Sequence, residues 1–259
     1  MGGKRFKKKQ KQEKNKNEKK IIFLNILELI FLALMIFSGI KIFNWYKENK
    51  SNSMQLEKIA EYVTIDKKET LEKKYKINFN ALKEKNSDTV GWLKVENTDI
   101  EFPVVQTQNN DFYLNHSFDK NYNSAGWIFM DCNNKNYSED KNVVIYGHNR
   151  RDGSMFGTLK NVLSEEWQKN NENLIFPFIT ENKDVKYEVF SIYKIEKEDY
   201  YITTNFKNDE EFLTFIKKIK SRSLKDFGVE VTSDDNILTL STCADNNKYR
   251  VVLHAKKVD

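Results

Sequence analysis

The sequence predicts a mostly-β domain, a closed or nearly closed barrel of eight strands, that follows a membrane-spanning helix. Two observations support this prediction. An uninterrupted apolar run lies near the N-terminus, and beyond residue 90 short apolar runs alternate with polar turns. The 259 residues suffice for one substantial domain with appendages. Eighteen Phe and twelve Tyr can furnish its core, which excludes a wholly disordered chain.

The first 20 residues form a basic tail. They hold ten Lys or Arg against Glu13 and Glu18, a net charge of +8 in a chain whose total is +5. The remainder is therefore slightly acidic, whereas a nucleic-acid-binding domain needs a basic face. We expect no nucleic-acid partner, and we assign residues 1–20 to a cytoplasmic tail.

Residues 21–40 are apolar, with Glu28 as the only charged side chain. A helix of this length measures about 30 Å, enough to cross the hydrocarbon core of a membrane. A cleaved signal peptide would have a shorter apolar region and a small-residue cleavage site, whereas this run leads into Trp45 and Tyr46, which suit a membrane interface. We predict a single-pass anchor at 21–43 in the cell membrane, with the N-terminus cytoplasmic and the rest of the chain extracellular.

Two segments with helical spacing of apolar residues follow the anchor. Residues 44–68 are predicted to be a stalk or N-terminal helix, and 69–86 a second helix. The outer domain is expected to occupy 69–259.

Eight segments of this domain are predicted to be strands, which favours a barrel. They are 91–95, 99–106, 126–131, 142–148, 173–180, 185–196, 236–243 and 250–256. Two helical inserts interrupt them. Residues 154–170 are predicted to be a helix or a broken pair, and 208–223 an amphipathic helix whose acidic start and basic end suit the helix dipole.

The two cysteines differ in their surroundings. Two cannot build a disulfide framework, and Cys132 is expected to be a small buried hydrophobe. Cys243 ends a predicted strand and Arg250 opens the next. If these two residues lie opposite each other in an antiparallel pair, with the loop 244–249 between them, their side chains share a face with Ser241. A thiol nucleophile needs a positive group where the oxyanion forms, and Arg250 could supply it.

Three histidines are candidates for the accompanying base. His148 follows a predicted strand at a glycine-containing turn, where functional groups are commonly presented, although such a residue can also merely stabilise the turn. His116 lies in a predicted loop. His254 lies in mid-strand, where it is expected to be packed or at an edge. The three are far apart in sequence, and we identify no metal-binding set.

The motifs around these residues are similar to those of the sortases, cell-surface transpeptidases of Gram-positive bacteria, and in particular to class B. TLSTC at 239–243 resembles the family's TLxTC motif, with Cys243 in the nucleophile position. YGHN at 146–149 matches the segment of the family's histidine, and Arg250 matches its arginine. Further segments resemble class B in order, at 91–106, 109–118, 152–160 and 201–206, and the helix at 208–223 is a class B trait.

The resemblance implies an eight-stranded sortase-type β-barrel with N-terminal helices and a helix inserted before the penultimate strand. It implies that the Cys243 thiolate attacks the Thr carbonyl of a C-terminal sorting signal, that Arg250 holds the oxyanion, and that His148 protonates the leaving amine. A peptidoglycan amine then resolves the thioacyl enzyme. The implied partners are surface proteins that bear sorting signals and this amine acceptor, with no cofactor or metal ion.

The resemblance also places five residues along the peptide groove: Asn110, Leu114, Tyr201, Ile202 and Ser241. For Leu114 and Ile202, ordinary core packing is the alternative. Ala244 departs from relatives that carry a carboxylate after the cysteine.

Other functions share parts of this pattern. A thiol hydrolase of the cell wall would use the same thioacyl chemistry with water as the acceptor. A membrane-tethered binding protein would lack a working site, and the set of Cys243, His148 and Arg250 argues against it. A pilin-polymerising sortase commonly carries an N-terminal lid and a second C-terminal hydrophobic segment, neither of which is evident here. A housekeeping sortase would lack the helix at 208–223.

Overall fold

The computed structural model describes residues 2–66, 74–135, 139–244 and 248–258, without the side chains of 2–14, 65, 66, 74, 243 and 244. The chain divides into two compact units, Met1–Ser51 and Asn52–Asp259.

The first unit is helical. Helix α1 (Gly2–Ala60) contains the one stretch, among the described residues, that is long and apolar enough to cross a membrane. Its apolar side chains are exposed throughout 21–43. An exposed apolar surface of this length is costly in water and favourable in lipid, so this unit suits the predicted anchor.

Between the end of α1 and the barrel the structure departs from the predicted helical segments. The segment predicted to be a stalk or N-terminal helix, 44–68, is helical as far as residue 60, and residues 63–66 are a strand. Strands β1 (Val63–Asp66) and β2 (Lys74–Ile77) form a two-stranded antiparallel sheet, and helix α2 is confined to Phe79–Lys85. The helix predicted over 69–86 is therefore wrong for 74–77, while 67–73 lie outside the described residues. The helix begins only after Asn78, because the Asn78 side chain accepts a hydrogen bond from the Ala81 amide and caps it there.

Eight strands form the barrel: β3 (Thr89–Lys94), β4 (Glu101–Val105), β5 (Phe129–Met130), β6 (Asn142–Gly147), β7 (Ile175–Ile179), β8 (Asp184–Glu196), β9 (Ile237–Ala244) and β10 (Tyr249–Lys257). They close in the order β10-β8-β7-β3-β4-β5-β6-β9, which confirms the predicted architecture. All neighbours are antiparallel except β4 with β5 and β6 with β9. Every predicted strand is present, although β5 is reduced to two residues.

The two helical inserts match their predictions. The first is a broken pair, a 3₁₀ helix at Leu159–Leu163 and helix α3 at Glu165–Lys169, separated by the N-cap Ser164. The second is helix α4 (Asp209–Ser221), which lies between β8 and β9 in the chain and begins where Asn208 accepts a hydrogen bond from the Glu211 amide.

Strand alternation divides the apolar side chains between two cores. One core fills the barrel and includes Leu238, Leu240, Val251 and Leu253 from β9 and β10. The second lies between the outer face of the barrel and α4, and joins Val252 of β10 to Phe212, Phe215 and Ile219 of the helix. The outer face of β9 and β10 is therefore covered by α4 around Val252. Towards the turn that joins the two strands, the same face carries the polar side chains of Ser241 and Arg250.

Candidate active site

A cleft of about 380 Å³ opens on this outer face. The cleft is lined by all of the predicted site residues whose side chains the structure describes: Asn110, Leu114, His148, Tyr201, Ile202, Ser241 and Arg250. These residues span positions 110 to 250, and they meet because barrel closure places β6, β9 and β10 side by side.

The hairpin of β9 and β10 fixes the position of Cys243. Cys243 and Arg250 are direct cross-strand partners, so the predicted register is confirmed. The turn between the strands includes 245–247, which lie outside the described residues, as do the side chains of Cys243 and Ala244. Arg250 is half-buried, lines the cleft, and donates from Nη1 to the carbonyl of Tyr249 at 3.2 Å.

His148 directly follows β6 and is half-exposed at the cleft. Its Nε2 lies 2.7 Å from the carbonyl oxygen of Leu114. Because a carbonyl oxygen can only accept a hydrogen bond, Nε2 carries a hydrogen, and Nδ1 is the basic nitrogen of the neutral ring. Leu114 is 41% exposed rather than packed in a core. Its carbonyl contacts His148, and the residue also lines the cleft.

Gly126 lets the backbone approach His148 closely. Its φ is +62°, and a Cβ there would lie 2.5 Å from the Tyr113 carbonyl oxygen. The same Cβ would lie 2.9 Å from the Leu114 carbonyl oxygen and 2.9 Å from His148 Cδ2. Only glycine fits this turn, since a side chain would displace the imidazole or the carbonyl that holds it.

A buried carboxylate beneath the cleft is not among the predicted residues. Asp131 is 3% exposed, and its Oδ2 accepts hydrogen bonds from Asn110 Nδ2 at 2.9 Å and from the Tyr146 hydroxyl at 2.6 Å. Its Oδ1 accepts two more from Asn133, and Asn110 Oδ1 accepts one from the Cys132 amide. Burial and the Asp131 charge raise the pKa of Tyr146, so its hydroxyl stays protonated and donates. The sequence signal that could have revealed this residue is an acidic side chain at the end of the apolar run 126–131, because an acid is rarely buried unless it is paired.

A 3₁₀ helix at Tyr200–Ile202 contributes a further part of the cleft wall. Tyr201 is buried, and its hydroxyl lies 3.0 Å from Ser241 Oγ, which is also buried. Ile202 is half-buried: it packs against the second core and also lines the cleft.

The remaining candidate residues lie outside the cleft lining. His116 stacks on Phe112 at 4.0 Å, and His254 is fully buried, which confirms that it is packed. Cys132 is half-buried, so the prediction of a buried residue is wrong: Cys132 lies in a turn after β5, where strand alternation no longer directs it inward. Burial raises the pKa of its thiol.

Among the described side chains, no group of three or more His, Cys, Asp or Glu could hold a metal ion.

A profile of the sortase domain matches residues 93–258. The chain is 35% identical over 236 residues to Sortase B of Listeria monocytogenes, covering 90% of this chain and 95% of that protein. The solved structure of Clostridium perfringens sortase B shares 40% identity at a TM-score of 0.66 and covers 70% of this chain and 100% of that one. A Staphylococcus aureus sortase B–substrate complex shares 32% identity at a TM-score of 0.66 and covers 85% and 96%.

These similarities, together with the barrel and its cleft, define a cysteine transpeptidase of the kind that anchors proteins to cell walls. The chain belongs to the sortase family, in which it groups with the class B enzymes. The predicted family and the predicted enzyme class are thereby confirmed, and the thiol hydrolase alternative is not better supported.

Proposed function

We propose that the cleft cleaves a C-terminal sorting signal after Thr and transfers the acyl group to a peptidoglycan amine. In this proposal Cys243 is the nucleophile, and His148 and Arg250 are the other catalytic residues. The observation that supports it most directly is the register of β9 and β10, which places position 243 opposite Arg250. Directly opposed residues of an antiparallel pair share a face, and His148 lines the cleft on that face.

The first half-reaction forms a thioester. With the proton of the Cys243 thiol held on Nδ1 of His148, the Cys243 thiolate adds to the Thr carbonyl carbon. The carbonyl oxygen gains the negative charge that the Arg250 guanidinium stabilises. The C–N bond then breaks, and the leaving amine takes a proton from His148. Because the Leu114 carbonyl holds Nε2–H, Nδ1 is the atom that delivers this proton.

The second half-reaction returns the enzyme to its starting state. The acceptor amine attacks the thioester carbon, passes a proton to His148 Nδ1, and forms the new amide as the C–S bond breaks. Water in place of the amine would give the hydrolase reaction, so the acceptor alone distinguishes the two activities.

The five groove residues are assigned to substrate binding by the same proposal. Leu114 and Ile202 line the cleft and offer apolar contacts. The polar groups of Asn110 and Ser241 are already hydrogen-bonded, to Asp131 and Tyr201, which fixes their orientation before a peptide binds.

The proposed organisation is a cytoplasmic tail at 1–20, a transmembrane anchor at 21–43, a stalk or helix at 44–68 and an extracellular catalytic domain at 69–259. The apolar helix and its basic N-terminal flank support this order and orientation. Protease added to right-side-out membrane vesicles should remove the C-terminal domain and leave an N-terminal fragment. A protected C-terminal domain would contradict the orientation.

The reaction can be tested with the full chain in detergent micelles. A panel of sorting-type peptides is incubated with and without an added amine, and the products are identified by mass spectrometry. Cleavage after Thr with transfer to the amine is expected, together with its loss in Cys243→Ala. Cys132→Ala is the matched control, because it removes the other cysteine and should retain activity.

Each other outcome has a distinct meaning. Cleavage that ignores the amine would identify a hydrolase. Activity that survives in Cys243→Ala and disappears in Cys132→Ala would refute the assignment of the nucleophile.

A further inference from the structure

His254 is a buried polar residue that the proposed reaction does not use. It lies on the outer face of β10, in the second core beneath α4, and none of its surface is exposed. Four aromatic rings surround its imidazole, with ring centroids 5.5 to 6.5 Å away: Phe190, Tyr193, Tyr201 and Phe215. Such a site is costly for a polar ring unless both nitrogens are hydrogen-bonded.

The hydrogen bonds on one side of His254 have a fixed direction. Asn142 Nδ2 lies 2.9 Å from the Thr203 carbonyl oxygen and 3.5 Å from that of Tyr201, so the amide nitrogen donates there and Asn142 Oδ1 faces Thr239. An amide oxygen only accepts, and the Thr239 hydroxyl therefore donates to Asn142 at 2.7 Å. The Thr239 oxygen must then accept from Nδ1–H of His254, which lies 2.8 Å away.

The other nitrogen of His254 faces Tyr193. With Nδ1 protonated in a neutral ring, Nε2 accepts from the Tyr193 hydroxyl at 2.8 Å. Burial lowers the pKa of His254 to about 3 and raises that of Tyr193, so both groups are neutral at physiological pH. The Arg222 guanidinium lies over the Tyr193 ring, with Cζ 6.0 Å from the ring centroid, and Arg222 is ion-paired with Glu198 through its two terminal nitrogens, Nη1 and Nη2.

These contacts form a chain from Glu198 through Arg222, Tyr193, His254, Thr239 and Asn142 to Thr203, so both of its ends lie on one segment, residues 198–203. Glu198 anchors one end through Arg222, and the Thr203 carbonyl accepts the last bond from Asn142. This segment contains Tyr201 and Ile202 and forms a wall of the cleft, which Glu198 also lines. The wall is thus tied at one end to Arg222, the residue that caps α4, and at the other to the barrel through β6 and β9.

We propose that His254, as the neutral Nδ1–H tautomer, is a positioning residue that holds the 198–203 wall of the cleft for substrate recognition. It acts through Thr239 and Asn142 and touches neither the peptide nor the reacting atoms. The kinetic consequence rests on the proposed function, whereas the tautomer and the direction of the hydrogen bonds do not.

The tautomer is measured directly on the full chain in detergent micelles labelled with ¹⁵N-histidine. The chain has three histidines, and the His254 signals are assigned as those lost in His254→Gln. We expect a neutral ring protonated at Nδ1 from pH 5 to pH 8. A ring protonated at Nε2, or a cationic ring in this range, would overturn the proposal. A wild-type chain without transpeptidase activity would refute the proposed function and leave this measurement valid.

Kinetics then separate a positioning role from simple packing. Thr239→Val keeps the volume of the side chain and deletes the hydroxyl, and we expect it to raise KM for a sorting peptide about tenfold with kcat within about threefold. Thr239→Ser keeps the hydroxyl and should restore a near wild-type KM. Ser191→Ala is the matched control: Ser191 is the buried cross-strand partner of His254 and bonds the Ile219 carbonyl, away from the wall. Equal KM values in Thr239→Val and Ser191→Ala would show that the hydroxyl only packs the core.

Discussion

Replacing Gly126 with alanine tests whether the turn behind His148 positions the imidazole. At a φ of +62°, a non-glycine residue costs about 1–2 kcal/mol in backbone energy. The new Cβ would also lie 2.5 Å from the Tyr113 carbonyl oxygen and 2.9 Å from the Leu114 carbonyl oxygen. These contacts are too short to persist, so the backbone must shift, which adds about 1–3 kcal/mol as overpacking.

The same shift should reach the catalytic chemistry. The Leu114 carbonyl holds Nε2 of His148, and the added Cβ would itself press on His148 Cδ2. Because a displacement of about 1 Å can cost on the order of 100-fold in rate, we expect Gly126→Ala to lower kcat by about 10- to 100-fold. Urea unfolding should show a loss of about 2–5 kcal/mol, and peptide transfer measured well below the unfolding transition should show the kcat effect.

Gly228→Ala supplies the control. Gly228 also has a positive φ, +73°, but a Cβ there would meet no atom within 4 Å. This variant should therefore lose only the backbone contribution, about 1–2 kcal/mol, and keep its kcat. If Gly126→Ala matched Gly228→Ala in both stability and kcat, the proposed support of His148 by this turn would be refuted.

Three further predictions follow from the site and its surroundings. Arg250→Lys retains the charge but not the planar guanidinium, and steady-state kinetics should show kcat lowered by about 100-fold, whereas an unchanged kcat would exclude an oxyanion role. Asp131→Asn sets an amide N–H against the Asn110 amide donor or, in the other orientation, against the two Asn133 donors, so urea unfolding should show a loss of about 1–3 kcal/mol. His254 has a folded pKa of about 3, below the ordinary 6.5, so its contribution to stability is complete above pH 6.5 and is lost as the pH falls towards 3. Unfolding curves between pH 7.5 and 4.5 should therefore be less pH-dependent in His254→Gln than in the wild type, and identical slopes would contradict a buried neutral imidazole.

Much of the fold is encoded in local patterns that the sequence displays directly. The period of the apolar residues gave all eight barrel strands and α4, and the apolar run at 21–43 gave the long exposed helix. Local spacing was insufficient at 74–77, where a short strand precedes a helix that Asn78 caps, because apolar residues three to four positions apart occur in both arrangements.

The sequence by itself also determined the pairing of Cys243 with Arg250. These residues belong to one hairpin, and the length of a short connection sets the register of the two strands that it joins. The resemblance of the surrounding motifs to the family predicted His148 as their partner.

Only the tertiary structure decided how the other groups meet. His148 reaches the cleft because β6 pairs in parallel with β9, a contact across nearly a hundred residues that no local pattern encodes. The same closure buries Asp131 next to Asn110 and links His254, through Thr239 and Asn142, to the 198–203 wall of the cleft. Such polar contacts depend on which strands become neighbours, and that choice is made by the packing of the whole barrel rather than by the residues on either side.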